Sequence, residues 1–391
     1  MLTSFELVDE AGGTMVVFLW LRFYRALGGV FGPLASWRLR ISYGEPEQVQ
    51  EQSTGRRRWV SQKRMEDVAE RAGVSIVTVS RTLHHPEQVL EKTRRRVLRA
   101  IAETGYVQNL VAGSLASSRT HVIAAIVPTL NNLAYGMSLH AVGEVLRKSG
   151  FQLLLGTDGF SAGEEESLIA TFLGWRPDGI FLHRCCHTPG AVRLLRNAGI
   201  PIVETGDLTP RPLDMVVSYS NCEAGKAMTT YLLAKGYRRI AFVGAPLHEN
   251  ERHYQRWQGY RAALKKRGIP YRPAHLIERP FGLEHGAQAL HSLLSLSPPV
   301  DAIFFGSDIF AVGALLDCAK RRLPVPERVA IAGFGDQEIT TKIAPSLTTV
   351  QVPREEIGHK AGGMLLDRLH GRPVKSKSVD VGFQIIERSS A

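Results

Sequence analysis

The chain has 391 residues, 44% of them hydrophobic and 22% charged, with a formal net charge of +11; this is the profile of a soluble globular protein of two or three domains. Four cysteines (Cys185, Cys186, Cys222 and Cys318) in so long a chain exclude a disulfide framework and fit a reducing cytoplasm. The charge is uneven: residues 56–119 hold thirteen Lys/Arg against six Asp/Glu, whereas residues 1–55 hold four against six, which places a nucleic-acid-sized basic surplus in one short stretch.

The first sixty residues carry an apolar run from Met15 to Leu21, but Arg22 and Arg25 interrupt it well short of the ~20 residues a membrane span requires. Glu6, Asp9 and Glu10 oppose the positive start of a secretory signal. Residues 1–60 therefore read as a poorly ordered extension or as upstream sequence translated in error, the alternative being a short amphipathic helix that touches a partner. No membrane association is expected.

Residues 61–107 read as three short helices. Met65, Val68, Ala69 and Ala72 recur at spacings of three and four, the period of one helix face. Gly73 ends that helix, and Ser75 caps a second one running through Val79 to Leu83. A third helix over 91–104 directs Val97, Leu98 and Ile101 inward and most of its arginines outward, with Gly105 closing it. Small Ala69 at a close crossing and a tight turn at Gly73 are the grammar of a helix-turn-helix. In that geometry Ser75 and Thr78 bond phosphates at the helix N-terminus, Ile76 and Val77 touch thymine methyls, and Arg81 donates to a guanine edge. Ser80 and Thr93 complete the DNA-facing set of this domain.

From residue 121 onward short apolar strands alternate with helices. Strands are predicted at 121–127, 151–157, 178–182, 200–204, 215–217, 240–244, 275–277, 302–305, 329–334, 347–352 and 379–386, with helices between them, one of them over 256–267. Continuous apolar strands separated by helices argue for parallel sheets covered on both faces. The fold class is thus an all-α helix-turn-helix domain followed by a core of two interleaved α/β subdomains over 121–391, with a ligand cleft between them. The run His183-Arg184-Cys185-Cys186-His187 invites a metal reading, but it lacks ligand spacing and a second Cys/His cluster, so it reads as strand-end residues and no metal or cofactor is expected.

The run from Asp67 through Ala72-Gly73-Val74 to Ser75, then Thr78-Val79-Ser80-Arg81, Gly105-Tyr106, Asn109 and Ala112, resembles the lactose/galactose-repressor (LacI/GalR) family. Asp301-Ala302-Ile303-Phe304 with Ser307-Asp308, Ala311 to Ala314, Val325-Pro326, Val329 to Phe334 and Pro345 to Val350 carry the likeness to residue 388. His84-His85-Pro86-Glu87-Gln88-Val89, His187-Thr188-Pro189 and Met228-Thr229-Thr230 are similar to the gluconate-utilisation repressors of that family. The resemblance implies a periplasmic-binding-protein-like core and a hinge helix within the 108–120 linker that orders on DNA, with Asn109 and Ala112 among its contacts and Leu115 as a minor-groove wedge. The chain departs from the family at Gln108, where proline is common, and at Leu110, often arginine.

By the same resemblance Arg256 is the effector-binding arginine, placed at the start of a helix, and Tyr135 is an aromatic packing on the ligand from the loop after the first strand. Asp158, His183, Glu204 and Asp308 fall at strand C-terminal ends, where open α/β sheets bind ligands, and Tyr135, Asp158, His183, Arg256 and Asp308 form the expected effector set. An arginine fork suits a carboxylate or vicinal hydroxyls, Asp308 would accept from sugar hydroxyls, and a protonated His183 would add a second cation, so a sugar acid such as gluconate is expected. The expected protein is a cytoplasmic homodimeric repressor, binding double-stranded operator DNA and released from it by a sugar or sugar acid, without a coiled-coil tetramerisation tail. It is not expected to be an enzyme: Gly333-Phe334-Gly335 lacks the third glycine of a dinucleotide fingerprint, and no P-loop or nucleophile elbow appears. The alternative is a sugar-binding protein of the same core fold that does not bind DNA.

Overall fold

The computed structural model describes residues 4–8, 14–18, 63–108 and 119–391. The chain divides into two compact units, Met1–Gln108 and Asn109–Ala391. Within the first, β1 (Ser4–Val8) and β2 (Thr14–Phe18) pair antiparallel. The expectation held no strand before residue 121; so short an apolar run as Met15 to Phe18 does not declare strand or helix by periodicity.

Three helices follow: α1 (Met65–Ala72), α2 (Ile76–His84) and α3 (Glu91–Thr104). Asp67 accepts from the Arg64 amide at 2.7 Å to start α1. Gly73 stops it at φ 60°, a left-handed conformation that glycine adopts without steric cost. The Ser75 hydroxyl then accepts from the Thr78 amide at 3.2 Å and starts α2, so the turn between the two helices is set by residues 73–75. Val68, Ala69, Ala72, Val79, Val97 and Ala100 form the buried core, and Arg71 ties α1 to Glu103 of α3 at 2.6 Å. Leu98, expected inward, is 45% exposed. Ala100, three residues after Val97, takes the inward place on α3 instead.

The second unit holds two six-stranded sheets. The first lobe orders its strands β4-β3-β5-β6-β7-β13, all parallel. These are β3 (Val122–Val127), β4 (Gln152–Thr157), β5 (Gly179–Leu182), β6 (Ile202–Glu204), β7 (Met215–Ser218) and β13 (Ser378–Asp380). The second lobe orders β9-β8-β10-β11-β12-β14, built from β8 (Ile240–Gly244), β9 (Leu276–Glu278), β10 (Ala302–Phe305), β11 (Ala330–Gly335), β12 (Thr348–Gln351) and β14 (Gln384–Ile386). Only β14 in that sheet runs antiparallel to its neighbour.

Both faces of each sheet are covered, which is why the strands read as unbroken apolar runs. Along β3, Ile123, Ala125 and Val127 join one apolar cluster and Ala124 and Ile126 another, the two-residue period of a strand. Helices α4 (Leu133–Arg147) and α11 (Arg354–Leu369) cover one face of the first sheet, with α5 (Ala162–Gly174) and α6 (Pro189–Ala198) on the other. Around the second sheet stand α7 (Asn221–Ala234) and α8 (Glu251–Lys266) on one face and α9 (Leu283–Leu294) and α10 (Asp308–Arg321) on the other.

The chain passes between lobes three times: after β7 into α7, after β12 into α11, and between β13 and β14. The last passage replaces the single strand expected over 379–386. Gly382 sits at φ 69° and its amide donates to Asp380 Oδ1 at 2.8 Å, a side-chain-closed turn that sends the two halves to different sheets.

Candidate DNA-reading face and effector cleft

On α2, Val79 and Thr82 are buried while Ile76 is 44% and Val77 57% exposed. Two apolar side chains held in water at a helix N-terminus gain nothing for the fold; they suit contact with another surface. Arg81 lies exposed on the same helix. The Ser75 and Thr78 hydroxyls bond each other at 2.9 Å beside the positive end of the helix. Ser80 and Thr93 are half-buried, the Ser80 carbonyl bonding His84 Nδ1 at 2.9 Å. On α3, Glu91 engages Arg95 at 2.8 Å and Arg94 at 3.7 Å, so part of the basic surplus is internally compensated. Asn109, Ala112 and Leu115 lie outside the described residues.

In the second unit a narrow cleft lies between the lobes. Tyr135, His183, Arg252, Arg256, Phe334 and Arg354 are among the residues lining it, and no aspartate or glutamate lines it among the described residues. Arg256 is nearly buried and stacks on Phe334, its guanidinium carbon 3.5 Å from the ring centre. It donates to Asn221 Oδ1 at 2.8 Å, to the Gly306 carbonyl at 2.5 Å and to the Tyr219 hydroxyl at 3.3 Å. Arg252, one turn earlier on α8, reaches into the first lobe and donates to the His183 carbonyl at 2.9 Å and the Tyr135 hydroxyl at 3.4 Å. Burial, then its neighbour Arg252, pushes Arg256 below the ordinary guanidinium range.

His183 is a neutral group here, which corrects the expectation of a second cation. Burial first, then Arg252, Arg354, Arg256 and Arg184, pushes its imidazole well below the ordinary histidine range; its Nδ1 bonds Thr205 Oγ1 at 2.9 Å. His253 is held neutral in the same way, and its Nδ1 accepts from the Ala245 amide at 2.9 Å. The cations of the cleft are the arginines.

The expected effector set divides. Tyr135, His183 and Arg256 line the cleft, whereas Asp158 and Asp308 do not. Asp158 is buried against Arg184 at 3.6 Å and accepts from the Phe160 amide at 2.8 Å. Asp308 is fully buried, accepting from Thr349 Oγ1 at 2.6 Å and the Gln337 amide at 3.0 Å, which anchors the loop after β11. Tyr135 stands in the first turn of α4 rather than in a loop, and Arg256 stands in the second turn of α8, which begins at Glu251 under an Asn250 cap.

Arg252 and Arg354 were missed. Arg252 carried a readable signal, four residues before Arg256 and so on the same helix face. Arg354 carried none, because only the crossover after β12 brings it to the cleft. His187, read as a strand-end residue, is buried between Glu165 at 2.9 Å and Glu204 at 3.2 Å. Among the described residues no cluster of His, Cys, Asp and Glu could hold a metal ion.

Residues 64–109 match the bacterial regulatory proteins of the lacI family, and residues 229–391 match the periplasmic binding protein-like domain. The chain is 38% identical over 328 residues to the HTH-type transcriptional regulator GntR of Pseudomonas aeruginosa, covering 83% of this chain and 95% of the relative. Its identity to the Escherichia coli GntR is 34% over 322 residues, covering 82% and 96%. Among solved structures, a Silicibacter pomeroyi transcriptional regulator of the same family superposes with a TM-score of 0.79 at 32% identity, over 84% of this chain and 99% of that one. These relatives are transcriptional regulators and not enzymes, and they carry the DNA-binding module that a plain sugar-binding protein lacks. A helix-turn-helix with an apolar, arginine-bearing outer face and a two-lobed core with an arginine-lined cleft therefore have one common explanation: the chain belongs to the LacI family of DNA-binding transcriptional regulators.

Proposed function

We propose that the protein is a repressor that leaves its operator when a sugar acid fills the cleft. The observation that carries this reading is the lining of the cleft, where buried guanidiniums meet aromatic faces and no carboxylate opposes them. Guanidinium forks favour carboxylate geometry, while Asn132, Ser138 and Gln337 in the same lining supply hydrogen bonds for hydroxyls. The protein acts as a homodimer, which brings two α2 helices to a near-palindromic site; exposed Leu130, Leu133, Met137, Leu283 and Leu316 are apolar surface available to a second copy.

Because Arg252 donates across the cleft to the His183 carbonyl, ligand occupancy and lobe spacing are linked, and affinity for DNA and for effector must then be reciprocally coupled. The test selects DNA bound by the full chain from a random pool, then titrates the complex by fluorescence anisotropy. Release by gluconate and not by glucose is the expected result. Release by a neutral sugar alone would overturn the assignment.

A further inference from the structure

Surface cations on four helices of this chain have a carboxylate at hand. Glu91 takes Arg95 on α3, Glu223 takes Lys226 on α7, Asp317 takes Arg321 on α10 and Glu356 takes Lys360 on α11, each within 2.9 Å. The second half of α8 and the loop after it break that habit: residues 261–275 hold Arg261, Lys265, Lys266, Arg267 and Arg272 and no aspartate or glutamate. Arg261 and Lys265, four residues apart on one helix face, repel each other. The negative end of the helix dipole favours Lys265 and Lys266 in the last turn, but its reach ends there and leaves Arg261 and Arg272 unexplained.

These side chains stand around two adjoining hollows on the second lobe, which share Ile269 and Pro270 as a common wall. Arg261 and Lys265 line one and Arg238, Arg239 and Arg272 the other; all five are exposed, and no aspartate or glutamate lines either hollow. Arg261 is held over the rings of Trp257 and Tyr271, its guanidinium carbon 4.7 and 5.0 Å from their centres. Arg238 donates to the carbonyls of Leu233 and Tyr237, and Arg239 donates to the Pro299 carbonyl. Asp301, at the edge, meets Arg239 at 3.7 Å but already accepts from the amides of Arg238 and Arg239. The side chains of Lys265 and Arg272 make no ion pair and no hydrogen bond among the described residues. We infer that this surface holds the phosphate backbone of a second segment of duplex DNA, outside the operator and without reading its sequence. Fixed cations on an open surface bind such a regular polyanion by releasing its counterions. A protein partner would need an apolar anchor at the centre of the contact, and no large apolar side chain stands exposed in either hollow. With the operator on the helix-turn-helix, the chain then bridges two stretches of DNA.

The test immobilises a DNA duplex selected by the full chain from a random pool, saturates it with that chain and then offers a labelled duplex of unrelated sequence. The label should be retained at about 50 mM salt, with a loss of roughly 500-fold in affinity by about 200 mM if all five cations meet phosphates. Lys265→Glu/Arg272→Glu should abolish retention while affinity for the selected duplex stays within about twofold of wild type. The milder Lys265→Gln/Arg272→Gln should lower the slope of log affinity against log salt by about 1.8. No retention by the wild-type chain at about 50 mM salt would overturn the inference. Retention undiminished in both variants would overturn it too, by assigning the second duplex to another helix-turn-helix. Retention of poly-L-glutamate in place of the duplex would overturn it in favour of an acidic protein partner.

Discussion

Glu251 and Cys185 belong to different lobes, yet Glu251 Oε1 accepts from the Cys185 amide at 3.2 Å, while Oε2 accepts from Cys186 at 3.1 Å. The next residue, Arg252, donates to the His183 carbonyl at 2.9 Å. Two consecutive side chains of α8 thus hold the loop after β5, one with a carboxylate and one with a guanidinium. The grip exists only when the lobes are together.

Replacing Glu251 by alanine removes two charge-assisted bonds from the closed form alone. Each such bond contributes about 1.5–3 kcal/mol where water cannot substitute, and Cys186 is exposed, so a net loss of about 1–2 kcal/mol is expected. Effector affinity should fall about fivefold to thirtyfold in titrations of the DNA-free protein. Unchanged affinity would show that closure does not depend on this contact.

The same carboxylate bears on the neighbouring thiol. Burial, then Glu251, pushes Cys186 up to about 12, so little thiolate exists at neutral pH despite its exposure, and thiolate is the reactive form. Alkylation by iodoacetamide at pH 8 should be slow in the native chain and faster in Glu251→Gln, which removes a cause of the upward shift. Mass spectrometry of the Cys186 peptide reads both rates.

On the DNA side, Arg81→Ala should weaken specific binding by about 1–3 kcal/mol and relax the preference at one base pair. Arg81 is exposed and makes no ion pair among the described residues, so the fold should be little affected. Parallel measurement on specific and unrelated DNA separates the two effects; an equal loss on both would assign Arg81 to the phosphate backbone instead.

Most of the fold was legible because its strands are apolar runs bounded by helix caps, and periodicity reads such patterns directly. The start of α8 was not: residues 251–255 are Glu-Arg-His-Tyr-Gln, of which Arg252 and His253 line the cleft and Glu251 binds the loop after β5, so the apolar signal begins a turn late. Asp308 misled for a related reason. A carboxylate at the C-terminal end of a strand looks the same in sequence whether it faces the ligand or, as here, anchors a loop through Gln337. Arg354 needed the topology, since a crossover places it and no local spacing can.

Close helix packing transmits to the site. A Cβ on Gly259 would lie 2.0 Å from the Cys222 carbonyl and 2.6 Å from the Lys226 amide, both backbone atoms of α7 that cannot move aside. Gly259→Ala should destabilise the chain by about 1–3 kcal/mol and displace α8, which bears Arg252 and Arg256. Thermal melting and effector titration should worsen together. A variant with wild-type melting would mean that α7 and α8 are not held this closely.

Stability should also depend on pH in a defined sense, through histidines of opposite behaviour. His187 loses some proton affinity to burial, but its bonds to Glu165 and Glu204 outweigh that and raise it to about 9, above the ordinary ~6.5. Its contribution is therefore complete below pH ~6.5 and is lost as pH rises through about 9, because the native state there holds a proton that the unfolded chain does not. His183 and His253 are pushed the other way by burial and the cleft arginines, so their contribution is lost as pH falls below ~6.5 and the unfolded chain takes up protons. The melting temperature of the DNA-free protein should therefore peak near neutrality and decline on both sides. In His187→Gln the imidazolium between the two carboxylates is lost while Glu165 keeps Arg184 and Glu204 keeps the Leu213 amide, so the cost should be about 1–3 kcal/mol, and the decline between pH 7 and 9 should flatten. If that alkaline limb keeps its full slope in the variant, the proton responsible resides on a group other than His187.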